Sequence, residues 1–427
     1  MSITSELKDK IFKEIEHLEA EMTKSLCRIL RFPAVSPHVG GQGEEIKARE
    51  VYKLIEELGL SGGAKLEWIR IPDEKSQTGN RVSLILRTPG RTRQRLWFLN
   101  HLDVLSAGDR TLWDTDPFMP VVKNGRIYAR GANDNGQSGI AMLYALKTLK
   151  DLNITPEYEV CLGFMADVLT GSCYGIEPMV KKRIVDFSSD DMILVPDGGE
   201  SVGDFIQIAE KWVLHMEFSI RGQQTHASLP GSASNACRAA NIFSVELDEA
   251  LHKTFPDRDE LFSPETSTFE PTRRYTNVVS ANIVPGTEKL SFDCRLLPRV
   301  KLDDVINTVE NVMKNVMSRF NIEIELKIIM RSDPAPPTSQ ESPIAKLVEK
   351  AVSEALNVKP RFGGVGIATF STVFRREGIP AAAWEQNASG QAQKPNEYAE
   401  IKHMLNNAKV FALMMLGEQK EEIVDQL

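Results

Sequence analysis

The sequence predicts an α/β protein with a mostly parallel central sheet and an inserted α+β domain. The chain of 427 residues is too long for one ordinary hydrophobic core, so we expect two domains. Up to about Lys211, apolar strands alternate with amphipathic helices, which is typical of an α/β layer. Beyond that residue the order changes to β-α-β-β-α-β, the ferredoxin-like unit. We therefore assign residues 1–210 and 331–427 to the α/β domain, and residues 211–330 to the inserted domain.

The α/β pattern begins with helices. Helical periodicity runs through residues 5–31, and a second amphipathic helix ends at Gly59. Three short β-rich runs follow, "AKLEWIRI", "RVSLILRT" and "RLWFLNHLDVL". The helix "SGIAMLYALKTLKDL" then separates them from two buried strands, "EYEVCLGFMA" and "DMILVPDGG". This alternation predicts the largely parallel sheet.

The inserted domain opens with "KWVLHMEFSIRG", whose period-two alternation is that of a half-exposed strand. The helix "NACRAANIFSVELDEALHKTF" follows, and then two strands, "TNVVSANIV" and "EKLSFDCRLL", with a hairpin turn at Pro285-Gly286. The helix "KLDDVINTVENVMKNVMSRF" and the strand "IEIELKIIM" close the unit. The Pro-rich segment "SDPAPPTSQESP" leads back into the α/β domain.

Composition excludes several classes of partner. The net charge of −8 argues against nucleic acid or an anionic membrane. Five scattered cysteines without a CxxC pair fit reduced thiols in the cytoplasm. The charged N-terminus does not resemble a signal peptide, and no apolar run approaches the roughly 20 residues of a membrane span. We expect a cytoplasmic globular protein.

Candidate ligand residues follow three buried strands or turns. His101 and Asp103 lie two apart on a strand, so the carboxylate is placed to hold the second ring N–H of the imidazole. Asp134 lies in a Gly-bracketed turn before a helix, and Asp197 follows an apolar strand. Each alone is more often a local hydrogen-bonding partner, a helix cap or a turn residue. Together they predict a nitrogen/oxygen site for a divalent ion such as zinc.

The long segment "HLDVLSAGDRTLWDTDPFMPVVKNGRIYARGANDNGQ" resembles the signature of metallopeptidase family 20. That family includes aminoacylases, carboxypeptidases and succinyl-diaminopimelate desuccinylase, and the chain is most similar to archaeal desuccinylase-like metallohydrolases. The resemblance runs from about residue 26 to the C-terminus. It includes "VPDGGESVGDFIQIAEK", "GQQTHASLPGSASNA", "NIVPGTEKLSFDCR" and "KPNEYAEI". It implies a zinc-binding α/β domain with an inserted lid that usually dimerises.

The resemblance also implies roles. Family members hydrolyse amides with two metal ions that share a bridging carboxylate, while a glutamate moves the proton of the attacking water. His101 and Asp197 match ligands of the first ion, Asp103 matches the carboxylate that orients His101, and Asp134 matches the bridging ligand.

Three polar residues of the inserted domain match lid positions of the family. His226 matches the lid histidine that stabilises the oxyanion in the partner subunit's pocket. Asn282 and Arg295 match residues that contact the carboxylate end of the substrate.

The sequence departs from the family at the remaining positions of the site. Val168 stands where the family has its general base, and Leu169 and Gln393 stand where the second ion has ligands. Ala129 replaces a usual glycine, and Val365 and Ile367 alter a Gly-Gly-Gly-Thr loop that binds the substrate carboxylate. A leucine cannot coordinate, and an amide is a poor zinc ligand beside imidazole.

Two neighbouring groups are weak substitutes for the missing side chains. Asp167 is adjacent to Val168, but one step along a strand points to the opposite face. We expect His403 to be a surface residue of a helix.

We therefore expect a metallohydrolase by ancestry, of N-acyl amino acids or small peptides, that is inactive or strongly impaired. The cofactor is expected to be one zinc or other divalent ion and not two. The alternative is an active hydrolase with a single metal at His101, Asp134 and Asp197. Expected partners are a small acyl-amino-acid or peptide ligand and a second copy of the chain, bound through the lid.

Overall fold

The computed structural model describes residues 5–367 and 369–417. The described residues form two compact units. The α/β unit runs to Ile208 and continues through Thr338–Phe362 and from Thr369 onward. The inserted unit consists of Ala209–Pro337 and the short segment that begins at Gly363.

The helices are α1 (Ser5–His17), α2 (Glu19–Ile29), α3 (Glu45–Glu57), α4 (Gln137–Asp151), α5 (Ile176–Lys181), α6 (Ala236–Thr254), α7 (Leu302–Phe320), α8 (Pro343–Leu356), α9 (Ser371–Arg376) and α10 (Ile401–Leu416). The strands are β1 (Lys65–Pro72), β2 (Asn80–Thr88), β3 (Arg95–His101), β4 (Val121–Lys123), β5 (Arg126–Tyr128), β6 (Glu159–Met165), β7 (Met192–Val195), β8 (Phe205–Glu210), β9 (Trp212–Arg221), β10 (Thr225–His226), β11 (Thr268–Thr276), β12 (Ile283–Val284), β13 (Thr287–Leu296), β14 (Glu323–Arg331), β15 (Arg361–Val365), β16 (Ala381–Ala383) and β17 (Tyr398–Glu400).

An eight-stranded sheet forms the α/β unit, in the order β1-β2-β6-β3-β7-β16-β8-β15. The central strands β6, β3, β7 and β16 are parallel to one another, and β1, β2 and β8 pair antiparallel with their neighbours. The central strands are apolar and buried, as strands covered on both faces must be. This confirms the predicted α/β class and brings the carboxyl ends of four parallel strands to one edge.

The N-terminal helical pattern is divided into two helices. We predicted continuous periodicity over residues 5–31, and the structure has α1 and α2 with Leu18 between them. Ile11 and Ile15 of α1 and Met22 and Leu26 of α2 are all buried. Because the apolar face continues through the interruption, the hydrophobic pattern carries no sign of it.

The inserted unit contains an antiparallel sheet of order β11-β13-β9-β14, with α6 and α7 packed against each other and against the same core. This is the ferredoxin-like arrangement that the element order predicted. The second strand was misplaced, however. It is Thr268–Thr276, which shares only Thr276 with "TNVVSANIV"; within that segment Ile283–Val284 forms a separate short strand, paired with Thr225–His226. β11 is largely exposed and polar, so it lacked the apolar signal that we used.

Within the described ranges, no helix is both long enough and apolar enough to cross a membrane.

Candidate metal centre

His101 and Asp134 meet at the carboxyl edge of the parallel strands. His101 is the last residue of β3, and Asp134 lies in the irregular turn Ala132–Gly136 that precedes α4. The Nε2 atom of His101 lies 3.0 Å from Oδ1 of Asp134, and both side chains are buried. The strand end and the turn thus place an imidazole nitrogen and a carboxylate oxygen face to face.

Asp197 completes a three-residue cluster. It follows β7, the neighbour of β3, by two positions. One ligand atom each from His101, Asp134 and Asp197 lies within 4.8 Å of the others. The structure therefore brings together the three residues that the sequence proposed as ligands of one ion.

Asp103 is held differently from our expectation. The His101 Nδ1 atom lies 2.9 Å from the backbone carbonyl of Asp103 and 3.6 Å from its carboxylate. The carboxylate instead accepts the backbone N–H groups of Val168 at 3.1 Å and Leu169 at 2.8 Å. The main-chain carbonyl thus makes the shorter contact with the imidazole, while the carboxylate ties β3 to the segment after β6.

The second oxygen of Asp134 faces an amide. The Gln393 Nε2 atom donates to Asp134 Oδ2 at 2.8 Å. Gln393 lies in the loop between β16 and β17 and has a left-handed backbone conformation, with φ of 63°. The amide therefore occupies the side of Asp134 that does not face His101.

Aliphatic side chains follow β6 at the same edge. Val168 is partly buried and packs against the core cluster formed by residues such as Trp97, Met165 and Phe374. Leu169 is also partly buried. Only the backbone N–H groups of these two residues bond to Asp103, so the side chains at 168 and 169 add no ligand atom to the cluster.

Asp167, the nearest carboxylate to Val168, is already bonded elsewhere. Its Oδ1 atom lies 3.1 Å from the guanidinium of Arg81, and its Oδ2 atom accepts the N–H of Tyr174 at 2.8 Å. Arg81 also pairs with Glu44 in a fully buried contact. These contacts hold Asp167 outside the cluster, but not for the reason that we expected: β6 ends at Met165, and Asp167 has a left-handed backbone conformation, with φ of 59°, so strand alternation does not apply to it.

Burial and neighbouring charges shift the pKa values of the cluster. Burial lowers the pKa of His101, but the hydrogen bond and charge of Asp134 raise it more, to about 10. Burial and then the charge of Asp134 raise the pKa of Asp197 to about 6. For Asp134, burial raises the pKa, but the hydrogen bond from His101 outweighs it and the pKa is lowered. Without a cation, His101 therefore carries a proton at neutral pH.

The donor set fits a divalent cation. One imidazole nitrogen and two carboxylates are the ligand types that zinc accepts, and three protein ligands with an open position are typical of catalytic zinc. Neither Asp197 nor Glu385, a buried carboxyl at the same edge, forms an ion pair with a lysine or arginine among the described residues. One divalent cation would supply this missing positive charge.

The comparisons with known proteins agree with this geometry. The model of peptidase family M20/M25/M40 matches residues 97–417, more than half of the chain. The chain belongs to this family. It is 32% identical over 401 residues to an uncharacterized metallohydrolase of Methanocaldococcus jannaschii, covering 92% of this chain and 98% of that one.

Two further relatives extend the comparison. A succinyl-diaminopimelate desuccinylase of Coxiella burnetii is 28% identical over 284 residues, covering 64% of this chain and 71% of the relative. The crystal structure of human carnosine dipeptidase 1 has a TM-score of 0.73 at 16% identity, covering 96% of this chain and 98% of that one. At that identity the structural likeness shows the fold alone.

The three residues of the inserted unit that match lid positions of the family form two separate groups. His226 in β10 is exposed, with its Nδ1 atom 2.7 Å from the hydroxyl of Ser228 and its Nε2 atom 3.3 Å from the amide of Asn282. Arg295 in β13 donates to both carboxylate oxygens of Asp293, at 2.7 and 2.8 Å, and to the carbonyl of Gly366 at 3.1 Å. His226 and Asn282 therefore lie together, whereas Arg295 contacts the loop that contains Val365 and Ile367.

Sequence reasoning missed the residue that holds the Asp134 turn. Glu397, in the "KPNEY" segment, accepts the backbone N–H groups of Asn133 and Asp134, each at 3.0 Å, and pairs with Arg130 at 2.6 Å. Burial and then the charge of Asp134 raise the pKa of Glu397. Its motif was recognised in the sequence, but it was given no role there.

Glu385 was also missed. It follows β16, as Asp197 follows β7, so the strand-end signal that revealed Asp197 was present in "AAAWEQN". Its carboxyl group bonds to the Ser138 hydroxyl and, at 2.7 Å, to the amide of Asn387. Burial, and then the charge of Asp197, raise the pKa of Glu385 well above its usual value.

The remaining histidine was wrongly placed. We expected His403 on the surface of a helix, and it lies buried in α10, with Nε2 3.7 Å from a Glu400 oxygen. Burial lowers its pKa. It is not among the residues of the cluster.

Proposed function

We propose that this chain is a member of peptidase family M20/M25/M40 that binds one divalent cation, in first place zinc, and a small N-acyl amino acid or peptide. Hydrolysis of the amide is lost or strongly impaired. Asp134, Asp197 and His101 would hold the cation. When bound there, such a cation polarises a carbonyl oxygen and lowers the pKa of a coordinated water.

The hydrogen bond between Gln393 and Asp134 carries this proposal. The Gln393 amide donates to Asp134 Oδ2 at 2.8 Å. Gln393 thus stands where a second ion would need a negatively charged or imidazole ligand. Leu169 cannot supply such a ligand. One ion at the His101 side and an amide at the other side satisfy both oxygens of Asp134.

The impaired chemistry follows from the residue at the position of the family's base. Hydrolysis requires a group that accepts the proton of the attacking water, which is typically worth about 10²–10⁴ in rate. Val168 cannot accept a proton, and Asp167 is bonded to Arg81. Glu385 is bonded to Ser138 and Asn387.

The ligand class is proposed from the relatives and from the lid positions. The desuccinylase among the relatives indicates an acylated amino acid, and the peptidase family indicates a short peptide. In the inserted unit, the His226–Asn282 pair offers polar groups for a carbonyl, and Arg295 offers a guanidinium for a carboxylate. Asp103 is proposed to support the site through the backbone of residues 168 and 169.

A second candidate function is an active hydrolase that uses a single metal. The observation that favours it is the intact three-ligand cluster, which leaves a coordination position open for water. In this case His101, Asp134 and Asp197 would hold a cation that supplies an activated water, and the usual glutamate would not be needed.

One experiment separates the two candidates. The purified protein is equilibrated with zinc, its metal content is measured, and hydrolysis of a panel of N-acyl amino acids and dipeptides is followed. One equivalent of zinc with no turnover above the metal-free protein supports the proposed function. One equivalent with turnover that disappears in Asp134→Asn supports the active hydrolase. Two equivalents with turnover would overturn the proposal.

We further propose a cytoplasmic homodimer assembled through the lid. The edge strand β14 exposes three consecutive apolar residues, Ile328, Ile329 and Met330, which is unusual for an unpaired edge. Light scattering tests this: Ile329→Asp is expected to yield monomers, and Val39→Asp, an exposed change in the α/β unit, is expected to leave the dimer intact. A wild-type monomer would contradict the proposal.

A further inference from the structure

A lysine is buried beside the metal centre. Lys47 belongs to the buried face of α3, together with Ala48 and Val51, and only 4% of its surface is exposed. Its ammonium group donates to the backbone carbonyl of Leu102, at 2.8 Å, in the segment that follows His101. A fully buried lysine is rare unless its charge is compensated.

The compensating charges come from the metal edge itself. The carboxylates that act on Lys47 are, in decreasing order of effect, those of Asp103, Glu397, Glu44 and Asp134. Glu44 and Glu397 have partners of their own in Arg81 and Arg130.

Among the described residues, Asp103 forms no ion pair with a lysine or arginine. Its carboxylate bonds to neutral backbone N–H groups, and the His101 ring lies 3.6 Å away. Lys47 and Arg81 are permanent cations whose charges both act on Asp103. Burial lowers the pKa of Lys47 to about 8, which leaves it mostly protonated at pH 7.

We propose that Lys47 is a built-in cation of the metal centre, which balances the carboxylates around Asp103 and Asp134 and weakens the affinity of the site for a divalent ion. This inference rests on the proposed single-cation function. A fixed positive charge in a buried site repels an incoming cation and stabilises the cation-free cluster. Lys47 is thus a positioning residue: it acts on the ion through the charges of the carboxylates.

A purely structural role for Lys47 makes a different prediction. If its only purpose were the hydrogen bond to Leu102, a neutral donor of similar reach would replace it. Lys47→Gln keeps a donor but removes the charge, Lys47→Met removes both, and Lys47→Arg keeps the charge. Lys53→Met is the matched control, since Lys53 lies on the same helix with its side chain exposed.

The experiment measures zinc affinity and stoichiometry at pH 7, by competition with a chelator, together with thermal unfolding of the metal-free and zinc-loaded proteins. We expect Lys47→Gln and Lys47→Met to bind zinc at least about tenfold more tightly than the wild type. Their melting temperatures should rise more on zinc addition than that of the wild type. Lys47→Arg and Lys53→Met should bind zinc as the wild type does. If a neutral variant unfolds without metal, it is refolded with zinc and its affinity is measured from chelator-driven release.

The outcomes distinguish this inference from the proposed function. Unchanged zinc affinity in both neutral variants would overturn the inference, as would an equal gain in Lys47→Arg. If the wild type binds no zinc but the neutral variants do, the inference stands and the proposed cation-binding function of the wild type fails. If none of these proteins binds zinc, both are wrong.

Discussion

The two oxygens of Asp134 face different surroundings. Oδ1 faces His101, with Asp197 close by, and the three side chains form a charged group that fits a divalent ion. Oδ2 faces the Gln393 amide, and the strand end beside the cluster carries Val168 and Leu169. The His101 side is one half of the edge and the Gln393 side is the other half. His101 and Asp197 lie at the ends of β3 and β7, and Val168 and Leu169 follow β6, so neighbouring parallel strands of one sheet support both halves.

The comparison of the two sides of Asp134 shows that the backbone contacts at this edge of the sheet do not depend on the identity of the side chains at residues 168 and 169. Val168 and Leu169 hold the Asp103 carboxylate through main-chain N–H groups, which any residue other than proline provides. The ligands of a second ion can therefore be replaced without disturbing the first half of the site. This separation leads to four predictions, ordered by their expected effect on cation binding or turnover.

The largest effect is expected when ligand side chains are introduced at residues 168, 169 and 393, so that both halves of the edge carry ligands. In the triple variant Val168→Glu, Leu169→Glu and Gln393→His, the number of bound zinc ions should rise from one to two. Hydrolysis of N-acyl amino acids should rise by about 10²–10⁴, the usual worth of general-base catalysis. Val39→Glu with Leu112→Glu is the control, because both aliphatic residues are exposed. A folded triple variant that still binds one ion would contradict the assignment of these positions.

The second prediction compares the two halves directly. Asp134→Asn should weaken zinc binding by more than about 100-fold, because it removes a ligand, and even outer partners of ligands are worth about 10–100-fold. Gln393→Ala removes one hydrogen bond and should change the affinity only a few-fold. Isothermal titration measures both, with the exposed Asp151→Asn as control. Equal losses in the two variants would show that the amide side contributes as much as the ligand side.

The third prediction uses the protons that a cation must displace. His101 has a pKa of about 10 and Asp197 a pKa of about 6 in the cation-free protein, and both must lose their protons to bind an ion. Zinc affinity should therefore increase about tenfold per pH unit between pH 6 and pH 8, where only His101 is protonated. Below pH 6 the dependence should approach about 100-fold per unit, because Asp197 is then protonated as well.

Titration of zinc affinity from pH 5 to pH 8 checks this sign and slope. A flat profile would mean that neither group is a ligand. In His101→Gln, the dependence between pH 6 and pH 8 should disappear even if weak binding survives.

The sequence predicted the fold because it depends on local signals, and the same kind of signal indicated the residues of the candidate cluster. Apolar runs that end in a histidine or an aspartate revealed His101 and Asp197, and the order of helices and strands revealed the ferredoxin-like unit. β11 was missed because its residues are mostly polar and exposed, so that its position depends on pairing with β13 and not on its own pattern.

The surroundings of the site were less accessible to sequence reasoning. Lys47 follows the helical period of the buried face of α3, but a lysine in such a pattern is ordinarily assigned to solvent. Only the three-dimensional arrangement brings it to Asp103, which is distant in the sequence. The sequence likewise did not reveal that His101 Nδ1 lies closer to the backbone carbonyl of Asp103 than to its carboxylate. This arrangement depends on the backbone conformation of the turn after β3, which no residue pattern specified.

The smallest effect on cation binding is expected from Arg81, although its effect on stability is large. Arg81 pairs with Glu44 and Asp167 and lies 3.6 Å from Asp73, all buried. Arg81→Met leaves these carboxylates without a cation, and breaking a buried pair in this way costs about 3–5 kcal/mol of the free energy of unfolding. Arg28→Met, at a more exposed arginine paired with Glu57, should cost at most about 1 kcal/mol.

Urea unfolding of the two variants measures these costs, and zinc titration of the folded Arg81→Met protein measures binding. Arg81 contacts Asp167, and the next two residues of the chain provide the N–H groups that hold Asp103. Asp103 in turn supports His101 mainly through its carbonyl, so a loosened carboxylate should change zinc affinity only a few-fold. If Arg81→Met weakened zinc binding as much as Asp134→Asn, the backbone of residues 167–169 would be part of the ligand half, and the separation between the two sides of Asp134 would not hold.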